Sequence, residues 1–265
     1  MPGPPVPSVP VGPDLFRLDG RAAIVTGGGG TLGGAMSLGL ARAGAMVLVV
    51  DSRLDAAEAV VGQIAAAGGI AEPMQVDVTD RAQVEAMVGR AVQRWGCLDV
   101  QINCAGKGAR GAAAEYRAED WEQVFNLNST ALFFCCQAAG RVMLEVGRGS
   151  IVNIASIAGM VGYGGNPAYL ASKGAVVQIT RALAVEWAER GVRVNAISPG
   201  VIESPGVTAQ MAKEPEFYVA FKARHPVGRF GRPQEMVGPA LFLASDASSY
   251  VTGLILAADG GYTSA

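Results

Sequence analysis

The chain has 265 residues, 50% of them hydrophobic and 17% charged, with 36 glycines where the usual share is roughly 7%. Its 21 basic and 23 acidic residues nearly cancel, which excludes a disordered chain and leaves no concentrated positive charge for nucleic acid. The glycines come in clusters rather than at every third position, which excludes collagen.

Residues 1–14 carry six prolines in the first 13 positions and read as a flexible, solvated tail. They have neither the basic start nor the apolar core of a signal peptide. From residue 15 to 265, strand-like and helix-like segments alternate. Ala22–Thr26 and Met46–Asp51 are short apolar runs of strand length. Between them, residues 32–43 read as a helix. Ser52-Arg53-Leu54-Asp55 has capping-box form, followed by Ala57, Val60, Val61 and Ile64 at helical spacing. Asp80 is placed to cap a helix whose apolar face is Val84, Met87, Val88, Ala91, Val92 and Trp95. Val100–Asn103 and residues 150–154, 193–197 and 254–258 read as further buried strands. This alternation predicts an α/β fold, a doubly wound parallel sheet of about seven strands covered by helices on both faces. No linker interrupts it. Residues 201–226 break the rhythm with prolines at 205, 215 and 226, and read as a lid over the ligand crevice.

The longest uncharged stretch, residues 149–172, is interrupted by Asn153, Ser156, four glycines, Asn166 and Pro167, so no membrane span is expected. Cys97, Cys104, Cys135 and Cys136 form no Cys-x-x-Cys pair. With a single histidine, His225, they offer no metal-ligand spacing, so no metal is expected. Reduced cysteines in a cytoplasmic protein are the expectation.

Six of the eight residues 27–34 are glycine, between a strand and a helix. Gly28-x-Gly30-x-x-Gly33 fits a dinucleotide fingerprint, with the helix N-terminus presenting unpaired N–H groups to a pyrophosphate. No Gly-Lys-Ser/Thr follows, which excludes a Walker-type loop. Asp51, ending the second strand, is placed to accept both ribose hydroxyls of NAD and to repel the 2′-phosphate of NADP. Arg53 argues the other way, since a guanidinium pairs with phosphate. NAD is the expected preference.

These segments together resemble the short-chain dehydrogenase/reductase family over residues 15–262. The resemblance rests on Thr26-Gly27-Gly28-Gly29-Gly30-Thr31-Leu32-Gly33, Asp77-Val78, Asn103-Cys104-Ala105-Gly106, Asn128, Ser156, Tyr169-Leu170-Ala171-Ser172-Lys173, Pro199-Gly200 and Asp259-Gly260-Gly261. It implies a Rossmann fold and hydride exchange between a nicotinamide cofactor and a secondary alcohol or ketone. It implies Tyr169 as acid–base group, Lys173 as its activating cation, Ser156 as holder of the substrate oxygen and Asn128 as a helix-bending relay residue. A free phenol has a pKa of about 10, so only a nearby cation overcomes the contrary effect of burial. The cofactor residues implied are Gly27, Gly28, Gly30, Thr31, Leu32, Gly33, Asp51, Asp77, Val78, Asn103, Ala105, Gly106, Tyr169, Lys173, Pro199, Gly200, Ile202 and Ser204.

Thr31 stands where the family usually has glycine. A β-branched residue resists positive φ, so the loop is expected to turn differently there or to place strain on Gly30. The loop and the Asp-Gly-Gly-Tyr-Thr ending look like relatives acting on sugar acids, such as gluconate or mannonate oxidoreductases. A sugar acid or polyol is therefore the expected substrate, with 3-oxoacyl reduction by NADPH the alternative. A non-catalytic dinucleotide-binding protein is the alternative of another class. Ser156, Tyr169, Tyr163 and Asn166 are the candidate substrate residues. Gly159, Gly162, Gly164 and Gly165 are expected to leave room at the mouth. Lys107, Arg110 and Lys213 are candidate carboxylate partners, each with a solvated surface role as the plain alternative, and His225 reads as a lid residue. The resemblance implies a homotetramer or homodimer. Apolar Val176, Val177, Ile179, Leu183 and Val185 around the Tyr169-bearing helix suggest burial on more than one side.

Overall fold

A computed structural model describes residues 12–265. Residues 1–11 of the proline-rich segment lie outside the described residues. Continuous apolar runs form the central strands because both of their faces are covered. Every residue of β1 (Ala22–Thr26) is buried, as is the interior of β2 (Met46–Asp51). The sheet is completed by β3 (Ile70–Gln75), β4 (Val100–Asn103), β5 (Gly149–Ile154), β6 (Val192–Pro199) and β7 (Ile255–Ala258). The order is β3-β2-β1-β4-β5-β6-β7 and every pairing is parallel, the doubly wound fold expected.

Alternate strand residues feed two cores. Ile24, Leu48 and Val50 pack against α3 (Arg81–Trp95), α5 (Leu132–Val146) and α6 (Pro167–Trp187). Ala23, Val25, Val47 and Val49 pack against α1 (Thr31–Arg42), α2 (Leu54–Ala66) and α9 (Val237–Ala244). A third, smaller cluster of Ile157, Tyr218, Phe221, Phe230 and Tyr262 lies under α7 (Pro205–Lys213) and α8 (Pro215–Ala223). His225 belongs there, buried between the Phe221, Phe230 and Tyr262 rings with Nδ1 3.0 Å from Phe221 O.

Several local expectations need correction. β3 was not among the expected strands, because Pro73 and its half-exposed residues weaken the pattern; as an edge strand it needs no N–H from Pro73. Residues 201–226, read as a lid, hold two helices, α7 and α8. Pro205 and Pro215 each occupy a first-turn position, where the missing N–H costs nothing. The cap of α2 is Arg53, without a side-chain hydrogen bond, so the Ser52 capping box does not form. Asp80 does cap α3, accepting from Ala82 N at 2.8 Å. Val176, Val177 and Leu183 are buried inside the chain and Ile179 is half-buried, leaving Val185 exposed. Among the described residues the cysteines are free, with Cys135 and Cys136 buried, and no helix is long and apolar enough to cross a membrane.

Candidate active site

Strand order reverses between β1 and β4, and a cleft opens there at the carboxyl ends of the strands, where such folds bind ligands. Its volume is about 1080 Å³. One wall is the turn from β1 into α1. Gly27 has φ +64°, and Gly30 N donates to Gly27 O at 3.0 Å to close the turn. A Cβ on Gly33 would stand 2.1 Å from Gly27 O, so α1 seats on the loop only because residue 33 is glycine. Gly30 caps α1 without a side-chain bond, which leaves the first-turn N–H groups of Thr31, Leu32 and Gly33 for a ligand. Thr31 occupies that first turn, no non-glycine among the described residues has positive φ, and Gly30 has φ −79°. The strain expected at residues 30 and 31 is absent.

Asp51 lines the cleft at the end of β2. Its Oδ2 accepts from Gly29 N and its Oδ1 from Arg53 N, both at 3.1 Å, which aims the carboxylate. Arg53 itself is exposed and does not line the cleft. Asp77, Val78, Ala105, Gly106, Pro199, Gly200, Ile202 and Ser204 line the same cavity. The Ser204 oxygen also caps α7, accepting from Val207 N at 3.2 Å. Two expected cofactor residues do not reach the cavity. Gly28 is buried beneath the loop, where a Cβ would stand 2.7 Å from Val25 O. The Asn103 side chain turns into the sheet, donating to Asn153 Oδ1 at 2.9 Å and accepting from Gln101 Nε2 at 2.8 Å. Each supports the wall from behind.

The opposite wall carries Tyr169 and Lys173. Helical spacing puts Tyr169 and Lys173 on one face of α6, with Lys173 Nζ 5.7 Å from the Tyr169 ring centroid. Lys173 Nζ donates to Ile154 O at 2.6 Å, and burial lowers its pKa from 10.5 to about 8. Burial pushes the Tyr169 phenol above its ordinary value, and the neighbouring Ser156 hydroxyl pulls it partly back. Ser156 follows β5, its Oγ accepting from Ala158 N at 3.1 Å. Asn128 lies behind them in a π-helical stretch, Asn126–Ala131. Its Oδ1 accepts from Lys107 N at 2.9 Å, and its Nδ2 donates to Lys107 O at 2.8 Å and Ser172 Oγ at 3.0 Å. The side chain clamps the 104–108 loop to α6 and does not itself line the cleft.

Tyr163 and Asn166 line the substrate end, and burial holds the Tyr163 phenol protonated. Sequence reasoning missed Gln210, Tyr218 and Phe221, which reach the cleft from α7 and α8. It also left Glu214 unread, the residue joining those helices. The Ser-Pro start of α7 was the available signal. Arg110 lines the cleft, paired with Glu214 at 3.0 Å, whereas Lys213 is exposed and outside it.

The Enoyl-(Acyl carrier protein) reductase family model matches residues 30–263. The chain is 42% identical over 253 residues to galactitol 2-dehydrogenase (L-tagatose-forming) of Cereibacter sphaeroides, covering 94% of this chain and 97% of the relative. The chain belongs to the short-chain dehydrogenase/reductase family. It is also 40% identical over 248 residues to D-threitol dehydrogenase of Mycolicibacterium smegmatis (94% and 95% covered). The crystal structure of a gluconate 5-dehydrogenase from Burkholderia cenocepacia J2315, in complex with NADP and tartrate, superposes with TM-score 0.90 at 34% identity, covering 95% of this chain and 98% of that one. As a short-chain dehydrogenase/reductase, the chain is an NAD(P)-dependent oxidoreductase acting on CH–OH groups. The glycine cradle and the unpaired first-turn N–H groups of α1 fit the diphosphate of that cofactor.

Proposed function

We propose that this cleft interconverts a secondary alcohol and a ketone on a small polyol or sugar acid. Tyr169 is the acid–base group, Lys173 its activating cation, Ser156 the holder of the substrate oxygen and Asn128 the residue that positions them. When bound, the nicotinamide dinucleotide accepts or returns the hydride and adds a positive charge beside the phenol in its oxidised form. In oxidation, Tyr169 takes the hydroxyl proton and Ser156 donates a hydrogen bond to the oxygen as negative charge develops there. In reduction, Tyr169 returns the proton. Lys173 favours phenolate, opposing the burial that otherwise raises the Tyr169 pKa. The observation that carries this reading is the buried Lys173 ammonium beside the Tyr169 ring, with Ser156 lining the same cleft as the diphosphate seat.

The relatives named for galactitol, D-threitol and gluconate support the substrate class. A relative named as a 3-oxoacyl-[acyl-carrier-protein] reductase, 38% identical, keeps thioester reduction as the weaker alternative. The test is a panel of polyols, sugar acids and 3-oxoacyl thioesters followed by NADH or NADPH absorbance. Tyr169→Phe is expected to reduce turnover by about 10²–10⁴-fold, the usual worth of acid–base catalysis, while NADH still binds by fluorescence titration. Turnover surviving in that variant would remove Tyr169 from the mechanism. An inert wild type across the panel would favour a non-catalytic dinucleotide-binding protein.

The Asp51 carboxylate, aimed by two backbone N–H groups, supports NAD as the preferred cofactor; NADP in the gluconate dehydrogenase structure argues the other way. Asp51→Ala is expected to move the NAD/NADP ratio of kcat/KM toward NADP by about tenfold, the worth of about 1.4 kcal/mol. An unchanged ratio would clear Asp51 of that role. Helices α7 and α8 form the substrate lid. A cytoplasmic location suits the unpaired cysteines. A homotetramer or homodimer, the common assembly of the family, is tested by light scattering.

A further inference from the structure

We infer that the cleft selects uncharged polyols over sugar acids, and that Glu214, at the α7–α8 junction, enforces that choice. The inference rests on the polyol or sugar-acid reading above. Three basic residues line the cleft and each is already engaged. Lys173 Nζ donates to Ile154 O at 2.6 Å, and Lys107 Nζ donates to Gln123 Oε1 at 2.9 Å. Arg110 Nη2 stands 3.0 Å from Glu214 Oε2.

Arg110 belongs to the substrate end. Its guanidinium carbon lies 4.3 Å from the centroid of the Phe217 ring on α8, and Nη2 lies 3.5 Å from the place a Cβ on Gly165 would occupy. The other Glu214 oxygen, Oε1, accepts from Gln210 Nε2 at 2.7 Å, and Gln210 also lines the cleft. One carboxylate therefore engages Arg110 Nη2 and Gln210 Nε2, two donors with which an anionic substrate would be gripped. A sugar acid reaching Arg110 must displace Glu214 or set its own carboxylate beside it. Like charges so placed are strongly disfavoured in a partly desolvated site. A hydroxyl meets no such conflict.

Asn166 supplies an independent observation. Its Oδ1 is buried without a hydrogen-bond partner in a residue that lines the cleft. The residue lies beside the reacting end, since a Cβ on Gly108 would contact Asn166 Nδ2 at 3.3 Å and the Tyr169 ring at 3.6 Å. A buried unpaired acceptor is costly until a donor reaches it. A polyol brings a hydroxyl with the proton it needs from either end of its chain, whereas the ionised end of an aldonate has none. Tyr163, held protonated by burial, offers a complementary donor from the same wall.

The test compares kcat/KM for galactitol, D-threitol, D-gluconate and D-mannonate in the wild type, in Glu214→Gln, and in Glu214→Gln combined with Arg110→Gln. The wild type is expected to prefer the polyols. Glu214→Gln is expected to move the aldonate/polyol ratio toward the aldonates by about tenfold or more, mainly through KM. Adding Arg110→Gln is expected to cancel that gain, which shows that the effect runs through the released guanidinium. A Glu214→Gln protein that melts like the wild type yet keeps its ratio would overturn the inference. So would a wild type that already prefers aldonates, in which case the polyol or sugar-acid reading still stands. If the wild type oxidises neither class, that reading falls and takes the inference with it.

Discussion

Residues 27–34 and residues 159–165 are both glycine-rich and both border the cleft, yet a side chain would meet very different surroundings in each. In the first segment, a Cβ on Gly28, Gly29 or Gly33 would stand within 2.7 Å of neighbouring atoms, and Gly27 has a left-handed backbone. In the second, Gly162 and Gly164 face open space, with nothing within 4 Å. Gly159 is the exception, a Cβ there falling 2.5 Å from Lys173 O, so it packs beneath α6 rather than leaving room at the mouth. Gly165, with φ +82°, serves a turn. The cofactor end thus uses glycine to bring backbone against backbone. The substrate end carries two glycines that nothing requires, and such positions are free to vary with the substrate.

Four substitutions would break or sharpen that contrast. The largest effect is expected where the second segment meets α6. Lys173→Met should reduce turnover by about 10²–10⁴-fold, in the range of lost acid–base assistance. The same variant has a signature in stability without cofactor. Burial lowers the Lys173 pKa from 10.5 to about 8, so between those values the folded state binds fewer protons than the unfolded one. Stability from this group therefore rises as pH climbs from about 8 toward 10.5. Thermal melts across that range should show the rise in the wild type and lose it in Lys173→Met. A pH profile that the substitution leaves unaltered would mean that Lys173 titrates normally.

Gly33→Ala comes next. Overpacking costs about 1–3 kcal/mol, which corresponds to a loss of NADH affinity of about 10- to 100-fold if α1 shifts to relieve it. Fluorescence titration checks this, and an unchanged Kd would show that the loop tolerates the displacement. The smallest effect is expected for Gly162→Ala and Gly164→Ala, which should leave melting within about 0.5 kcal/mol of the wild type and NADH affinity unaltered. A marked loss of folding in either would erase the distinction between the two segments.

Much of the sheet was legible because buried parallel strands are continuous apolar runs; β1, β2 and β4 have the expected limits, and those of β5, β6 and β7 differ by at most two residues. β3 was not legible, since an edge strand tolerates Pro73 and half-exposed residues. The helices begun by Pro205 and Pro215 were not legible for another reason. A proline disrupts a helix interior but suits its first turn, and only neighbouring residues tell the two apart. Thr31 looked strained because family spacing put it at a glycine position. Once it lies in the first turn of α1, negative φ is all that is asked of it.

The sequence by itself determined the alternating architecture, the glycine turn with an acid ending the next strand, and the four-residue spacing of Tyr169 and Lys173. Each is a short-range pattern, set by the backbone geometry of a strand, a turn or a helix. Tertiary structure alone decided where side chains with distant partners point. It turned Asn103 into the sheet toward Asn153, committed Asn128 to Lys107 and Ser172, left Asn166 Oδ1 unpaired, and joined Arg110 to Glu214. Those outcomes depend on which segments the sheet and the helices around it bring within hydrogen-bond reach, and no local periodicity encodes such a meeting.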